Sequence, residues 1–229
     1  MSERHFDEIA DQYDESLPPH VVQHYLDKRV RLIGDLLPGG GKVLDAGCGT
    51  GVVASRLADL GYEVTGLDPS EGMLEHLRGR DTRVEAVQGS ATELPFEDGS
   101  FDLTFCVAVM HHIADPEDVH KSLTEMVRVT RPGGLAMVWD HNPRNPYWKH
   151  LMARVPQDDG SERLIPEAEI TGGLSDGGAV VQSSRRLGMV PDFVPPSLLG
   201  AAQVFEKAVE KVPGARTFCA HNVVIARRS

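Results

Sequence analysis

Two different spacings of apolar residues divide the chain of 229 residues. Up to about Leu37 they recur at helical intervals, and Pro18-Pro19 separates a short first helix from a longer second one. The run Pro38-Gly39-Gly40-Gly41 ends the second helix. From Lys42 onward, short β-rich runs alternate with helical stretches, so a different architecture is predicted for the rest of the chain.

Strands and helices alternate regularly between Lys42 and Asp140. Five strands are predicted, at Lys42–Ala46, Glu63–Leu67, Arg83–Val87, Phe101–Val107 and Leu135–Asp140. Three helices are predicted among them, at Val52–Leu60, Ser70–Arg78 and Pro116–Thr130. This alternation predicts βαβ crossovers, and therefore an α/β fold with a doubly wound, mostly parallel sheet and helices on both faces.

The pattern weakens after Asn142, where residues 143–200 are rich in Pro, Gly and Asp. Three dipeptides are expected to interrupt any long element there: Gly172-Gly173, Gly177-Gly178 and Pro195-Pro196. A short helix at Leu198–Lys211 and a final strand at Phe218–Ala226 are predicted to follow. We expect this part to face the substrate and to complete the sheet with two more strands.

Aromatic residues near and after the fifth strand are assigned to the core: Trp139, Tyr147, Trp148, Phe193 and Phe205. An alternative remains for Asn142–Trp148, which directly follows the end of that strand. This segment could instead form a wall of a substrate pocket.

The balance of charges limits the partners of the protein. Lys and Arg number 23 and Asp and Glu 34, so the net charge is −11 with neutral His. Nucleic acids and anionic membrane surfaces attract clustered basic residues, and the short pairs Arg185-Arg186 and Arg227-Arg228 are too small to form such a surface. We therefore expect no nucleic-acid partner.

Other compositional features indicate a cytoplasmic protein without a membrane span. The three cysteines, Cys48, Cys106 and Cys219, show no CxxC spacing and fit reduced thiols. The first eight residues contain no apolar stretch, so we expect no signal peptide. No apolar run approaches the ~18–20 residues of a membrane span.

The central motif is a glycine-rich turn, which closes the first predicted strand and opens a helix with the sequence Asp45-Ala46-Gly47-Cys48-Gly49-Thr50-Gly51. Glycines permit positive φ and close approach of a ligand, and the start of a helix offers free N–H groups. Asp68 ends the next strand, where an acid can accept hydrogen bonds from ribose hydroxyls. The motif therefore predicts a cofactor that contains adenosine.

The spacing and charge of this turn distinguish between adenosine cofactors. A dinucleotide fingerprint requires G-x-G-x-x-G, and here the third glycine comes one residue early. The P-loop sequence is absent. Asp45 would repel a pyrophosphate but suits a cationic group. S-adenosylmethionine carries an ammonium, a sulfonium and no phosphate, so we favour it over NAD or ATP.

Several motifs in order resemble the class I S-adenosylmethionine-dependent methyltransferases, in particular their small-molecule branch with a type 11 domain. Besides the glycine turn and Asp68, they are Phe6–Asp14, Leu94–Asp102, Val109–Pro116 and Arg131–Gly134. The resemblance covers residues 5–142 and implies a Rossmann-like sheet of seven strands with a small cap. It also implies methyl transfer, by in-line displacement, to a small-molecule acceptor such as a secondary metabolite.

The resemblance assigns contacts with S-adenosylmethionine residue by residue. Asp45 would hold the ammonium group and Asp68 the ribose diol, while Met73 would pack on the adenine. Tyr13 could reach the carboxylate. The remaining residues implied for cofactor binding lie in the turn and at strand ends: Ala46, Gly47, Cys48, Gly49, Gly51, Pro69, Ser90, Ala91 and Val107.

One position departs from the family pattern. Related enzymes place an acid after the third strand to accept from the adenine amino group, whereas this chain has Gln88-Gly89-Ser90-Ala91. A hydroxyl can accept the same hydrogen bond but without charge assistance, a loss of ~1 kcal/mol. We therefore expect the cofactor to bind, more weakly than with an acid at Ser90.

The candidate catalytic residues are His111 and His112, just past the fourth strand. Histidine titrates near neutral pH and is the usual general base. Neighbouring side chains rarely face the same cleft, so we expect at most one of the two to act. His20 and His24 have the spacing of metal ligands on a helix, but no third ligand is apparent, and we predict no metal site.

We predict a single domain over residues 1–229. It comprises a helical cap at 1–38, a cofactor-binding core at 42–142, and an acceptor-side segment with the final strands at 143–229. Two alternatives to the methyltransferase hypothesis stay open. One is an NAD-dependent oxidoreductase on a similar sheet, and the other is a protein that binds S-adenosylmethionine without catalysis.

Overall fold

A computed structural model describes residues 3–158 and 160–229 of the chain. Met1, Ser2 and Asp159, which belong to the predicted cap and acceptor-side segment, lie outside the described residues. The strands are β1 (Lys42–Ala46), β2 (Glu63–Asp68), β3 (Glu85–Gln88), β4 (Phe101–Val107), β5 (Thr130–His141), β6 (Ala179–Leu187) and β7 (His221–Arg228). The helices are α1 (Glu3–Tyr13), α2 (Pro19–Leu36), α3 (Val52–Asp59), α4 (Glu71–Arg80), α5 (Pro116–Val129), α6 (Trp148–Met152), α7 (Glu167–Asp176) and α8 (Leu199–Lys211).

The strands form one seven-stranded sheet in the order β3-β2-β1-β4-β5-β7-β6. β7 runs antiparallel to both of its neighbours, and the other pairs are parallel. This confirms the predicted mostly parallel, Rossmann-like sheet. The strand order reverses between β1 and β4, and in such sheets ligands bind outside the carboxyl ends of the strands at this point.

Helices cover both faces of the sheet, because successive side chains of a strand point to opposite faces. On β5, Met137 and Trp139 pack with the buried faces of α2, α3 and α4. Ala136 and Val138 point the other way and pack with α5 and α7. The two cores hold the parallel strands rigidly, and so fix the loops at their carboxyl ends.

Helix α7 corrects one prediction. Gly172-Gly173 lies inside this helix and does not interrupt it. A Cβ on Gly173 would lie 2.6 Å from Cδ1 of Leu123 on α5, so the glycine permits close contact between two helices. Gly173 therefore serves packing between α7 and α5, although a Gly-Gly pair is typical of a break in a helix.

The aromatic residues divide between core and surface. Trp139 is fully buried as predicted, but the prediction is wrong for Phe193 and Phe205, which are 70% and 59% exposed. Helix α8 turns Glu206 inward in place of its phenylalanine, and the Glu206 carboxylate lies 3.0 Å from Nε2 of His24. Charge pairing thus holds α8 on α2.

None of the helices in the described ranges combines the length and apolar character that a membrane span requires. The described cysteines Cys48, Cys106 and Cys219 are free thiols.

Candidate functional site

The glycine turn between β1 and α3 lies against the segment that follows β4. The N–H groups of Gly47 and Cys48 both donate to the carbonyl oxygen of Leu67, at 2.7 and 3.0 Å. Gly47 has a φ of +82°, and a Cβ there would lie 2.5 Å from Cγ2 of Val109. Only glycine combines this conformation with this close approach. The turn is therefore fixed at the point where the strand order reverses.

Gly49 lies beneath the side chain of Tyr13. A Cβ on Gly49 would have Cε1 of Tyr13 as its nearest neighbour, at 3.9 Å, so the backbone of the turn is accessible from this side. The Gly49 N–H donates to Oδ2 of Asp68 at 2.8 Å. The other carboxylate oxygen of Asp68 accepts from the N–H of Ser70 at 3.0 Å. Asp68 thus joins the glycine turn to the start of α4.

Two buried acids lie beside the glycine turn at this site. Asp45 is 2% exposed and Asp68 is 7% exposed. Burial raises the pKa of Asp45 to about 8, and the neighbouring charge of Asp68 adds to the rise, while Arg29 opposes it. Burial likewise raises the pKa of Asp68. A cationic ligand would favour the ionised form of both acids.

Arg29 on α2 is a site residue that the sequence analysis missed. Its guanidinium carbon lies 5.7 Å from the ring centroid of Trp139, and among the described residues no atom accepts a hydrogen bond from its buried Nε. Burial lowers the pKa of Arg29, and the charges of Tyr25, Tyr13 and Asp45 counteract this. The sequence feature that could have identified Arg29 was a charged residue within the row of buried residues on α2 that contains Val30.

Helix α1 is held over the glycine turn by its aspartates. Oδ1 of Asp7 accepts from Oγ of Ser70 at 2.6 Å and from the N–H of Gly72 at 3.0 Å. Oδ1 of Asp14 accepts from Oγ1 of Thr50 at 2.7 Å. Burial, followed by the charge of Asp68, raises the pKa of Tyr13 on the same helix to about 12. The Tyr13 phenol is therefore neutral and able to donate.

The donor set fits S-adenosylmethionine. The site presents two buried acids suited to cationic groups and ribose hydroxyls, and the guanidinium of Arg29, whose buried Nε has no partner among the described residues and suits a carboxylate. A pyrophosphate would meet two acids against a single basic group. The chemistry of the described side chains thus agrees with the charge argument made from the sequence.

The other residues predicted to bind cofactor occupy several positions around the turn. Met73 is buried in α4, and Ser90 is exposed after β3, with its Oγ 2.7 Å from Oγ1 of Thr92. A Cβ on Gly51 would lie 2.1 Å from Cδ1 of Leu77, so this glycine allows α3 to begin close to α4. The rest lie in the turn or at strand ends: Ala46, Cys48, Pro69, Ala91 and Val107.

A buried ion pair joins the ends of β4 and β5. Nδ1 of His111 lies 2.7 Å from Oδ1 of Asp140, and the N–H of Met110 donates to Oδ2 at 2.8 Å. Burial opposes charge on the imidazole, but the charge and hydrogen bond of Asp140 outweigh it, and the pKa of His111 is raised. Asp140 was predicted only as a strand end. The sequence feature that could have identified it was an acid at the carboxyl end of a strand, next to the point where the strand order reverses.

His112 has a different environment from its neighbour. Its ring makes an edge-to-face contact with Phe6 of α1, with centroids 5.2 Å apart. Burial and then the charge of His111 keep the pKa of His112 well below its usual range. The two histidines therefore lie in different environments, and Nδ1 of His111 is held by the Asp140 carboxylate.

The turn into this pair has an unusual backbone. Ala108 has a φ of 57°, the one positive value at a described residue other than glycine. Its N–H donates to the carbonyl oxygen of Trp139 at 2.8 Å. Such conformations cost of order 1–3 kcal/mol and persist where surrounding contacts enforce them, often at functional sites.

Aromatic rings continue from the ion pair toward the acceptor-side segment. His141 stacks on His111 at 3.9 Å and on Trp148 at 3.5 Å between centroids. Burial holds the pKa of His141 well below its usual range. Trp148 therefore extends the stack of rings that begins at His111, while a pocket wall at Asn142–Trp148 stays a prediction.

Possible metal ligands are also close together at this point. One ligand atom from each of His111, His112 and Asp158 lies within 4.8 Å of the others, and the same holds for His111, Asp140 and His141. The expectation of no metal stays a prediction. His20, singled out in the sequence, bonds the carbonyl oxygen of Val194 at 2.6 Å instead.

Known proteins with similar sequences were compared with the chain. The sequence model of a methyltransferase domain matches residues 44–138. A demethylmenaquinone methyltransferase of Paenarthrobacter aurescens is 34% identical over 158 residues, 65% of this chain and 61% of that protein. Its namesake from Renibacterium salmoninarum is 33% identical over 174 residues, 72% of this chain and 71% of that protein. Part of each relative therefore lies outside the match.

A solved structure extends the similarity over the whole fold. An S-adenosylmethionine-dependent methyltransferase of Thermotoga maritima, named a possible histamine N-methyltransferase, superposes with a TM-score of 0.72 over 99% of both chains. At 21% sequence identity this likeness shows the fold. The relatives, the domain match and the fold agree, and the chain belongs to the class I S-adenosylmethionine-dependent methyltransferases.

Proposed function

We propose that the protein transfers the methyl group of S-adenosylmethionine to a small-molecule acceptor by in-line displacement. The observation that carries the proposal is the donor set around Gly49, where two buried acids and the Arg29 guanidinium, whose Nε has no partner among the described residues, match a phosphate-free cofactor. The bound cofactor supplies an activated methyl group. The protein's own work is to align the acceptor and to exclude water.

Each polar group of the site has a proposed partner on the cofactor. Asp45 holds the ammonium group and Asp68 holds the ribose diol, as the family resemblance implies. Arg29 and the neutral phenol of Tyr13 hold the carboxylate. The backbone of Gly47–Gly49 lines the methionine end, and Met73, Ser90 and Ala91 surround the adenine.

His111 is the proposed general base for an acceptor that carries a hydroxyl group. Its Nδ1 donates to Asp140, so Nε2 is the atom that accepts a proton once the imidazole is neutral. The acceptor oxygen forms a bond to the methyl carbon while the carbon–sulfur bond breaks, and the hydroxyl proton passes to Nε2. Asp140 is a positioning residue in this scheme. His112 contacts α1 and has no role in proton transfer.

Several observations favour a small acceptor. The curated relatives are named for demethylmenaquinone, and the net charge of −11 disfavours nucleic acid. The cap at residues 1–38 and the segment 143–229 are the parts outside the cofactor-binding core at 42–142, so they shape the acceptor pocket. A cytoplasmic location, with no metal at the site, completes the proposal.

Two measurements test this function. Calorimetry should show binding of S-adenosylhomocysteine and none of NADH, and Asp68→Asn should weaken the former. Labelled S-adenosylmethionine should then pass its methyl group to an acceptor in a metabolite extract. Binding without transfer to any acceptor would support the non-catalytic alternative, and absence of binding would overturn the proposal.

A further inference from the structure

A cavity of about 380 Å³ lies at the start of α7, beside the ends of β5, β6 and β7. No residue assigned to the cofactor lines it. Its polar lining comes from Asn142, Arg144, Glu167, Thr171, Arg186 and Asn222.

Asn222 is the unusual member of this lining. It is 1% exposed, and neither Oδ1 nor Nδ2 of its amide has a hydrogen-bond partner in the described part of the chain. Asn142, also 1% exposed, donates to the carbonyl oxygens of Thr217 and Cys219 at 2.9 and 2.8 Å. Buried amides are nearly always bonded, so the amide of Asn222 lacks a partner that a ligand can supply.

The direction of Asn222 follows from its strand. Val224 and Ala226 lie two and four residues further along β7 and pack in the core beneath α5 and α7. Side chains alternate along a strand, so Asn222 points to the same face as these two residues. This is the face on which α7 begins and the cavity lies.

The charges around the cavity favour an anion. Arg144 is exposed and has no carboxylate within salt-bridge distance among residues 3–158 and 160–229. Glu167 is the one acid of the lining, and it pairs with Arg186 and accepts from Ser184. Nε of Arg186 is buried and unpartnered within the described ranges. The two arginines and the one glutamate of the lining therefore leave a net charge of +1 at the cavity.

The first turn of α7 adds further donors. The helix has ten residues, begins after Pro166, and has no side-chain cap. Its first N–H groups have no partner within the helix, and the helix dipole places partial positive charge at this end. Glu167 and Ala168, the first two residues of the helix, line the cavity together with Asn222.

The cavity lies in line with the proposed base. Asp140 on β5 is paired with Asn222 on β7, which is paired with Arg186 on β6. Neighbouring strands are ~4.8 Å apart, so Arg186 lies about 10 Å from Asp140 across the sheet. The Asp140 carboxylate is already engaged by Nδ1 of His111. The N–H of Arg163 donates to the carbonyl oxygen of His111 at 2.9 Å and ties the segment before α7 to the base.

We propose that this cavity binds an oxyanion, a carboxylate or a phosphate, carried by the methyl acceptor. Arg144, Arg186 and the first turn of α7 neutralise the charge, and Asn222 donates a hydrogen bond through Nδ2. The acceptor is then a small molecule that carries an anionic group in addition to the hydroxyl that receives the methyl group. This inference rests on the proposed function, because it assigns the substrate of that same site.

Binding of three matched probes to the full chain, saturated with S-adenosylhomocysteine, tests the inference. The probes are 4-hydroxybenzoate, 4-hydroxyphenyl phosphate and the neutral 4-hydroxybenzyl alcohol, and calorimetry or NMR titration gives each dissociation constant. At least one anionic probe should bind about tenfold more tightly than the alcohol. The anionic probe with the lower dissociation constant shows whether the acceptor carries a carboxylate or a phosphate.

Variants locate the binding to this cavity. Arg144→Ala and Asn222→Asp should each weaken the anionic probe on the order of tenfold and leave the alcohol unchanged. Arg185→Ala removes the same charge from the opposite face of β6 and should change nothing. Equal affinity for anionic and neutral probes, no binding of any probe, or equal effects of Arg144→Ala and Arg185→Ala would overturn the inference.

The two proposals fail in different ways. If S-adenosylhomocysteine binds and the anionic probes show no preference for the cavity, the inference about the acceptor falls and the methyltransferase proposal stands. If S-adenosylhomocysteine itself does not bind, the proposed function falls. Because Arg144 is exposed, its variant is expected to fold, which keeps the test decisive even if Asn222→Asp does not.

Discussion

Nδ1 of His111 and Oδ1 of Asp140 are 2.7 Å apart, and both side chains are buried where β4 and β5 end. The pair is held by the backbone, since Met110 and His141 also donate to the Asp140 carboxylate. Its consequence is a histidine of fixed orientation with a raised pKa. A base of this kind is inactive at low pH and strong once it has lost its proton.

The pH dependence of methyl transfer follows from this pair. Charged His111 cannot accept a proton, so kcat should rise with pH through a pKa above the ordinary 6.5 of histidine. Asp140→Asn removes the charge that outweighs burial, and should move this limb to lower pH. It should also lower the maximal kcat by about 10- to 100-fold, while S-adenosylhomocysteine affinity is kept.

His112 provides the matched control for that experiment. His111→Gln should reduce kcat by on the order of 100-fold and abolish the acid limb. His112→Gln should change kcat by less than about threefold, because this residue is neutral and contacts Phe6. Equal losses in the two variants, or an acid limb that Asp140→Asn leaves in place, would show that His111 is not the base.

Arg29 offers a test that separates binding from stability. Arg29→Met should weaken binding of S-adenosylhomocysteine by about tenfold or more, since it removes the partner of the carboxylate. The free energy of unfolding should stay the same or rise by ~1 kcal/mol, because Arg29 has no paired carboxylate in the described structure. Calorimetry and urea titration give the two quantities. The exposed Arg31→Met on the same helix should change neither, and equal cofactor affinity in both variants would contradict the assignment.

The raised pKa of Asp45 predicts that cofactor binding releases protons. The pKa of Asp45 is about 8 in the free protein, so its carboxyl group is mostly protonated at pH 7. The ammonium group of the cofactor would lower that pKa, and a proton would leave on binding. Calorimetry at pH 7 in buffers with different ionisation enthalpies counts the protons. Asp45→Asn should reduce the release, and an unchanged count would place the ammonium elsewhere.

The same raised pKa affects the stability of the free protein. Unfolded Asp45 ionises near 3.8, whereas in the folded protein it ionises near 8, so its contribution to stability is lost as pH rises between these values. Asp45→Asn has no ionisable group at this position, so its free energy of unfolding does not fall in this way. The difference in unfolding free energy between variant and wild type should therefore grow toward pH 8 in the absence of cofactor.

The two glycines in α7 make a matched pair for packing. Gly173→Ala should lower the free energy of unfolding by about 1–3 kcal/mol, since the new Cβ would lie 2.6 Å from Leu123. Gly172→Ala, with open space around its Cβ, should raise it by ~0.5–1 kcal/mol. Urea unfolding measures both. Similar effects in both variants would contradict the close contact between α7 and α5.

Ser90 tests the position of the adenine. Ser90→Asp restores the charge assistance that related enzymes have, and should tighten binding of S-adenosylhomocysteine by about fivefold. Thr92→Asp places the same charge two residues further on and should have a smaller effect. An affinity that does not change in Ser90→Asp would show that the adenine amino group lies elsewhere.

The parts of the fold that local pattern determines were predictable from the sequence. β1 and β4 have the predicted bounds because short runs rich in strand-forming residues lie between turn residues there. α7 was not predictable, because Gly173 serves contact with Leu123, which is distant in the sequence. Phe205 was misassigned because hydrophobicity alone does not reveal that α8 turns Glu206 inward.

The site divides in the same way. Asp45 and Asp68 were found because they lie at fixed distances from the glycine turn in the sequence. Arg29, Asp140 and Asn222 were not, because their roles depend on which strands and helices become neighbours. A charge in an apolar stripe and an acid at a strand end were signals, but many such residues are only structural.

Transfer of labelled methyl from S-adenosylmethionine, followed by separation of small molecules from macromolecules, tests the central claim most directly. The purified protein is incubated with a metabolite extract, and Asp68→Asn serves as the control. The account predicts label in the small-molecule fraction, lost in the variant and carried mainly by an anionic product. Label confined to protein or nucleic acid, or no transfer by a protein that binds S-adenosylhomocysteine, would contradict it.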